Sequence, residues 1–168
     1  MIDENDNTVF ANRHLSTMLG YSIEEIMQKQ FYYFLTDKGK EIARNSIERR
    51  RLGENFTNQG EFQFNKKNGE ILWALITASP IFKNGAYKGS LAMLMDITEH
   101  KIAEEKLILN ERQLTLIFDT VTDIVFTLHV EDNKRFTFTN VNQSFLKNTG
   151  VSKEQIIGKQ VNEVLREP

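Results

Sequence analysis

The chain predicts an α+β fold, with short helices gathered on one face of an antiparallel sheet and a long exposed helix after it. Three observations carry this. Apolar residues keep a helical period up to Gly53 and change to a period of two beyond it. Two turns, Lys66-Lys67-Asn68-Gly69 and Lys83-Asn84-Gly85, divide the later stretch into three strands, because Asn-Gly supplies the left-handed backbone that tight hairpins need. At Thr98-Glu99 the apolar run Leu91 to Met95, which has the length of a buried strand, gives way to a polar stretch. Its apolar residues return at Ala103, Leu107, Leu114, Ile117 and Val121, the a/d spacing of a two-stranded helical seam, with Asn110 in the gap.

The elements follow in order. Asp3 to Asn7 is a polar turn, and Thr8 to Ala11 reads as a short strand. Asn12 caps a helix carrying Leu15, Met18 and Leu19, which Gly20 ends. Ser22, with Glu24 and Glu25 behind it, starts the next helix, carrying Ile23, Ile26 and Met27. The aromatic cluster Phe31-Tyr32-Tyr33-Phe34 packs into the core. Asp37 to Leu52 forms a helix with Ile42, Ala43 and Ile47 on one face and Lys40, Arg44, Arg49, Arg50 and Arg51 elsewhere; Gly53 closes it. Beyond that point Phe56, Phe62 and Phe64 share one parity, Ile71 to Ile81 is a long strand, and Lys88 to Met95 is its partner.

Composition narrows the function. In 168 residues with 40% hydrophobic content there is room for one domain or one and a half. A net charge of -2 gives no pull toward nucleic acid or an anionic membrane surface. The chain has no cysteine, so disulfides, thiolate metal sites and thiol nucleophiles are excluded. No apolar run approaches the roughly 18 to 20 residues that cross a bilayer. No convergent set of His, Cys or carboxylate residues suggests catalysis, so no enzymatic activity is expected of these residues.

An internal repeat lies at a constant offset of 130. Asn12, Gly20, Ser22, Glu24, Ile26, Lys29 and Gln30 recur as Asn142, Gly150, Ser152, Glu154, Ile156, Lys159 and Gln160 without a gap. The second copy opens with a hairpin, Ile124 to Val130, then Glu131-Asp132-Asn133-Lys134, then Phe136 to Val141, and the sequence ends at Pro168.

These features resemble the PAS superfamily, specifically the S-box type with its C-terminal PAC motif. The resemblance is carried by Val9-Phe10-Ala11-Asn12, by Leu19-Gly20-Tyr21-Ser22-Ile23-Glu24-Glu25-Ile26, and by Lys67-Asn68-Gly69-Glu70-Ile71-Leu72-Trp73. Ser79-Pro80-Ile81, Asn84-Gly85, Gly89 and Asp96-Ile97-Thr98-Glu99 extend it. It implies a PAS fold with a five-stranded antiparallel sheet, divided into a domain at 1–98, a coiled-coil-like linker helix at 99–121 and the N-terminal half of a second domain at 122–168. By the offset of 130, the first copy's equivalent of Ile124 to Val130 would precede Met1. Two expectations follow: the sequence is an excerpt of a longer protein, or strand Ile124 to Val130 of a second-copy half fills the gap in a first-copy sheet.

The resemblance also places candidate residues. Phe62, Phe64, Ala74, Ile76, Ala78, Ala92 and Leu94 would line a cavity. Flavin-binding members carry amides at the positions of Phe64, Ala74 and Leu94, and their adduct-forming cysteine is impossible here, so a flavin light sensor is not expected. Haem would need a histidine on the Asp37 to Leu52 helix, which has none; His14, His100 and His129 read as surface residues. No cofactor or metal is therefore expected, and any small-molecule ligand is left unknown. His100 lacks the surroundings of a phosphoacceptor. Arg49-Arg50-Arg51 reads as the solvated end of a helix, where cations face the negative dipole.

Trp73, Leu75, Leu91, Met93 and Met95 form an opposite sheet face that a second subunit or the linker would cover. Together with Ala103, Leu107, Leu114 and Ile117 it implies a homodimer. Asp96 and Thr98 are the expected latch for signal transmission, with Thr98 also able to cap its own helix. The function implied is a cytoplasmic sensory and regulatory module of a signal-transduction protein, a multi-PAS sensor histidine kinase of a two-component system, working on a signalling output domain elsewhere in that protein. The alternative is a ligand-free PAS interaction and dimerisation module.

Overall fold

A computed structural model describes residues 1–130 and 135–164. The chain divides into two units, Met1–Ala103 and Glu104–Pro168.

In the first unit, strand β1 (Ile2–Asp3) leads through a turn to α1 (Arg13–Leu19) and α2 (Ile23–Met27). The caps have the expected physical basis. Asn12 accepts from the Leu15 amide, Gly20 takes a left-handed φ of 75°, and Ser22 and Glu25 form a reciprocal capping box. A 3-10 turn, Phe31–Phe34, precedes α3 (Asp37–Arg51). Strands β2 (Asn58–Asn65), β3 (Ile71–Lys83) and β4 (Ala86–Asp96) follow as two hairpins. Asn84 and Gly85 both have positive φ, 53° and 76°, so the second hairpin turns in two residues with a twist that suits the strands.

The sheet is antiparallel, in the order β1-β4-β3-β2. Leu19, Ile26, Phe34, Leu35, Phe62, Phe64 and Leu72 fill the core between its inner face and the helices. The position of a fifth strand is taken by residues 8–10: Thr8 bridges Ile2, and the Val9 amide donates to the Met1 carbonyl at 2.9 Å. The expected strand Thr8 to Ala11 is thus reduced to one bridge, since only Met1 to Asp3 lie alongside to form a ladder. Leu91 to Met95 also departs from the buried strand expected. Alternation along β4 leaves Met93 and Met95 at 68% and 63% exposure, on the sheet face opposite the core.

Helix α4 (Thr98–Thr120) is continuous across the division between the units, and none of its side chains is buried. In the second unit β5 (Phe126–Val130) and β6 (Phe136–Val141) form a separate two-stranded sheet, followed by α5 (Gln143–Thr149), α6 (Lys153–Ile156) and α7 (Val161–Val164). The rings of Phe126, Phe138 and Phe145 meet edge to face at 5.6 to 5.8 Å. Local geometry repeats that of the first unit: Asn142 accepts from the Phe145 amide, Gly150 has φ 69°, and Ser152 and Gln155 make a capping box. The expected turn at residues 131–134 lies outside the described residues.

The strand-exchange idea is overturned within the chain. The space beside β4 is entered by Ile2 and Asp3, paired with Ser90 and Gly89, while β5 pairs with β6.

Candidate functional site

A cavity of about 130 Å³ lies between the inner face of the sheet and the helices. Phe62, Phe64, Ile76, Ala78, Ala92 and Leu94 line it from β2, β3 and β4, and Leu19, Ile26, Phe34 and Ile47 from the helical side. Ala74 shares their parity but does not line the cavity. It belongs to the core cluster and is paired across the ladder with Phe62, which does line the cavity. The cavity also has polar lining, from Thr8, Ser46, Arg50, Asn58 and Ser90, which lie far apart in sequence and form no motif.

Arg50 is the centre of that polar lining. Ala43, Ile47 and Arg50 are spaced by four and three, so they share the buried face of α3, and Arg50 is 2% exposed. This corrects the reading of Arg49-Arg50-Arg51 as a solvated run. Only its outer members are at the surface, Arg49 paired with Glu54 at 2.6 Å and Arg51 with Asp6 at 2.9 Å. The guanidinium of Arg50 donates from Nη1 to Ser90 Oγ at 3.2 Å and from Nη2 to the Ala78 carbonyl at 2.6 Å. Nη2 also reaches Asn58 Oδ1 and the Phe56 carbonyl, and the Phe56 ring lies 5.1 Å away. All of these acceptors are neutral. Burial lowers the Arg50 pKa from its ordinary value, and Tyr87 opposes that shift. Arg50 Nε and Thr8 Oγ1 are buried without a hydrogen-bond partner. The signal that could have found Arg50 was the helical spacing, obscured by the two arginines beside it.

The outer face carries Trp73 and Leu75, both half-buried, beside the exposed Leu91, Met93 and Met95. Lys101, in the first turn of α4, reaches back to this face. It pairs with Glu61 at 2.9 Å and stands 5.8 Å from the Trp73 ring centroid. Farther along α4, Ala103, Leu107, Leu114 and Ile117 are all exposed.

The strand-to-helix junction is tied to β3. Were the ladder of Ala74 with Asp96 to continue, Trp73 would exchange both backbone bonds with Ile97. One of them forms, from the Ile97 amide to the Trp73 carbonyl at 2.9 Å. The Ile97 carbonyl has instead become the first acceptor of α4, taking the Lys101 amide at 2.9 Å. The Thr98 hydroxyl fills the place it left, accepting from the Trp73 amide at 3.0 Å and donating to the Trp73 carbonyl at 3.4 Å. Asp96 Oδ1 accepts from the Thr98 amide at 2.8 Å. Of the two roles expected for Thr98, latch and cap, its hydroxyl takes the first by binding the neighbouring strand, while the capping contact comes from Asp96.

His14, His100 and His129 are all exposed. Among the described residues no cluster of three or more His, Cys, Asp or Glu could hold a metal ion, and no helix is long and apolar enough to cross a membrane.

A family model described as PAS domain matches residues 1–99 and 122–168. The chain belongs to the PAS domain family. Among solved structures, a PAS domain from Colwellia psychrerythraea shares 23% identity, with a TM-score of 0.51 over 58% of this chain and 82% of that one. The LOV protein of Rhodobacter sphaeroides is similar at 18% identity and TM-score 0.51, covering 63% and 62%. A domain assigned to a light and redox sensing histidine kinase from Haloarcula marismortui gives 17% identity and TM-score 0.50, covering 58% and 85%. No curated protein sequence matches the chain.

Proposed function

We propose that this chain is a sensory and regulatory module of a cytoplasmic signal-transduction protein, in which occupancy of the cavity shifts the sheet and α4 carries the shift onward. The observation that carries the reading is the Thr98 hydroxyl bonded to both backbone groups of Trp73, so that the sheet is fastened to the first residue of a 23-residue helix. The module conveys a conformational change and transforms no substrate. It takes no flavin or haem and contacts neither nucleic acid nor membrane.

Its proposed partner is a second copy of the chain. The exposed face of Leu91, Met93 and Met95, and the a/d residues Leu107, Leu114 and Ile117 on a helix with no buried side chain, support a homodimer. Residues 122–168 are read as the first half of a second PAS domain. Similarity of fold to a domain assigned to a histidine kinase supports a sensor kinase as the parent, which would also hold the output domain. The same exposed face favours the second reading, a dimerisation module that needs no ligand.

Native mass spectrometry together with spin labels at position 107 tests both. A dimer mass and a label separation that responds to cavity occupancy are expected. A monomer refutes the dimer, and a dimer with an unresponsive helix leaves the interaction module as the function.

A further inference from the structure

We infer that the cavity of the first unit binds a small monocarboxylate whose apolar body has about six to eight carbons, with the carboxylate meeting Arg50. Because an occupied cavity is what the module would sense, the inference rests on the proposed function for its consequence, though not for the binding itself.

The charge balance leads here. A buried cation is costly unless an opposite charge accompanies it. Arg49 and Arg51 have carboxylate partners, whereas among the described residues none lies within ion-pairing distance of Arg50. Its acceptors are a hydroxyl, a side-chain amide and two carbonyls, which solvate the charge and leave it uncompensated. Two of the five guanidinium N–H groups have no acceptor: Nε–H, and one on Nη1, which is engaged only by Ser90. The hydroxyl of Thr8, also unpartnered and buried, lines the same cavity.

Shape and chemistry then limit the ligand. Away from Arg50, the lining is hydrocarbon and aromatic, from Phe62, Phe64, Ile76 and Leu94. Such walls accept an apolar body and would strip water from further charges without repaying it. A volume of about 130 Å³ is close to that of a cavity known to take benzene, of about 150 Å³, so the body is one ring or a short chain. One charged end on one small apolar body describes a monocarboxylate such as benzoate or octanoate.

The test is calorimetric titration of the full chain with benzoate and octanoate against benzamide and octanamide. At least one acid should bind at one per chain and at least about tenfold more tightly than its amide, the value of one charge-assisted contact. Arg50→Gln should bring acid and amide to equal affinity. Ala92→Phe, which places a ring in the cavity, should abolish binding of both while the circular dichroism spectrum is kept. Should Arg50→Gln fail to fold, the acid-to-amide ratio of the unaltered chain decides alone. Absence of acid binding at millimolar concentration, or equal affinity for acid and amide, overturns the site. Acid-selective binding with no change in the spin-label separation along α4 keeps the site and removes the relay. A helix that responds to another stimulus, without acid binding, removes the site and leaves the relay standing.

Discussion

Gly89 and Ile2 approach so closely that a Cβ on Gly89 would stand 2.0 Å from the Ile2 carbonyl oxygen. Gly89 also holds a φ of 131°, which residues with a side chain rarely adopt. Both facts come from one requirement. Strand β1 is two residues long and must lie directly against β4, with Asp3 opposite Gly89, to bring Met1 and Ile2 over the cavity.

Gly89→Ala should therefore push β1 off the sheet at a cost of about 1–3 kcal/mol. The urea midpoint, followed by the fluorescence of Trp73, the one tryptophan of the chain, should fall accordingly. An unchanged midpoint would show that β1 contributes nothing to the first unit.

Asn12 and Asn142 occupy the same place in the repeat yet carry different loads. Asn12 is exposed, and its side chain receives the Leu15 amide. Asn142 is 0% exposed and makes four side-chain bonds: it accepts from the amides of Val125 and Phe145 and donates to the carbonyls of Val121 and Asp123. Asn12→Ala should cost about 1 kcal/mol, and Asn142→Ala about 2–4 kcal/mol because buried backbone groups lose their partners. Hydrogen exchange at Leu15, Val125 and Phe145 measures both. Equal losses of protection would mean that burial does not distinguish the two.

Much of this fold is legible because local chemistry dictates it. Asn12, Gly20 and Ser22 cap and end helices through their own side chains or φ angles, and Asn84-Gly85 can make only a tight turn, so no distant contact is needed to place them. The residues that escape a reading of the sequence depend on what lies opposite. Arg50 is buried because Ser90, Asn58 and the Ala78 carbonyl arrive from three strands to receive it, and no window of sequence around Arg49 to Arg51 contains them. Ala74 has the parity of a cavity residue and lies in the packed core, since parity assigns a face but not which residues on it border the space. Thr98 is expected as part of a latch or as a helix cap, but the group it would bind is not legible locally. Its true acceptor and donor belong to Trp73, twenty-five residues earlier.

That last pair yields the prediction on which the proposed relay depends most. Thr98→Val keeps the shape of the side chain, removes the hydroxyl, and leaves the Trp73 amide without the acceptor it has at 3.0 Å. The loss should be about 1–3 kcal/mol locally, seen as faster exchange of the Trp73 amide. Thr98→Ser retains the hydroxyl and should preserve protection, which separates the hydrogen bond from methyl packing. Asp96→Ala removes the contact to the Thr98 amide and should fray the first turn of α4 by about 0.5–2 kcal/mol, with the sheet left nearly as stable as before. If the sheet only carries the helix passively, both variants will leave the spin-label response at position 107 intact. If the junction transmits, Thr98→Val and Asp96→Ala will each weaken that response while Thr98→Ser will not, because only the first two detach the helix start from the strands beside it.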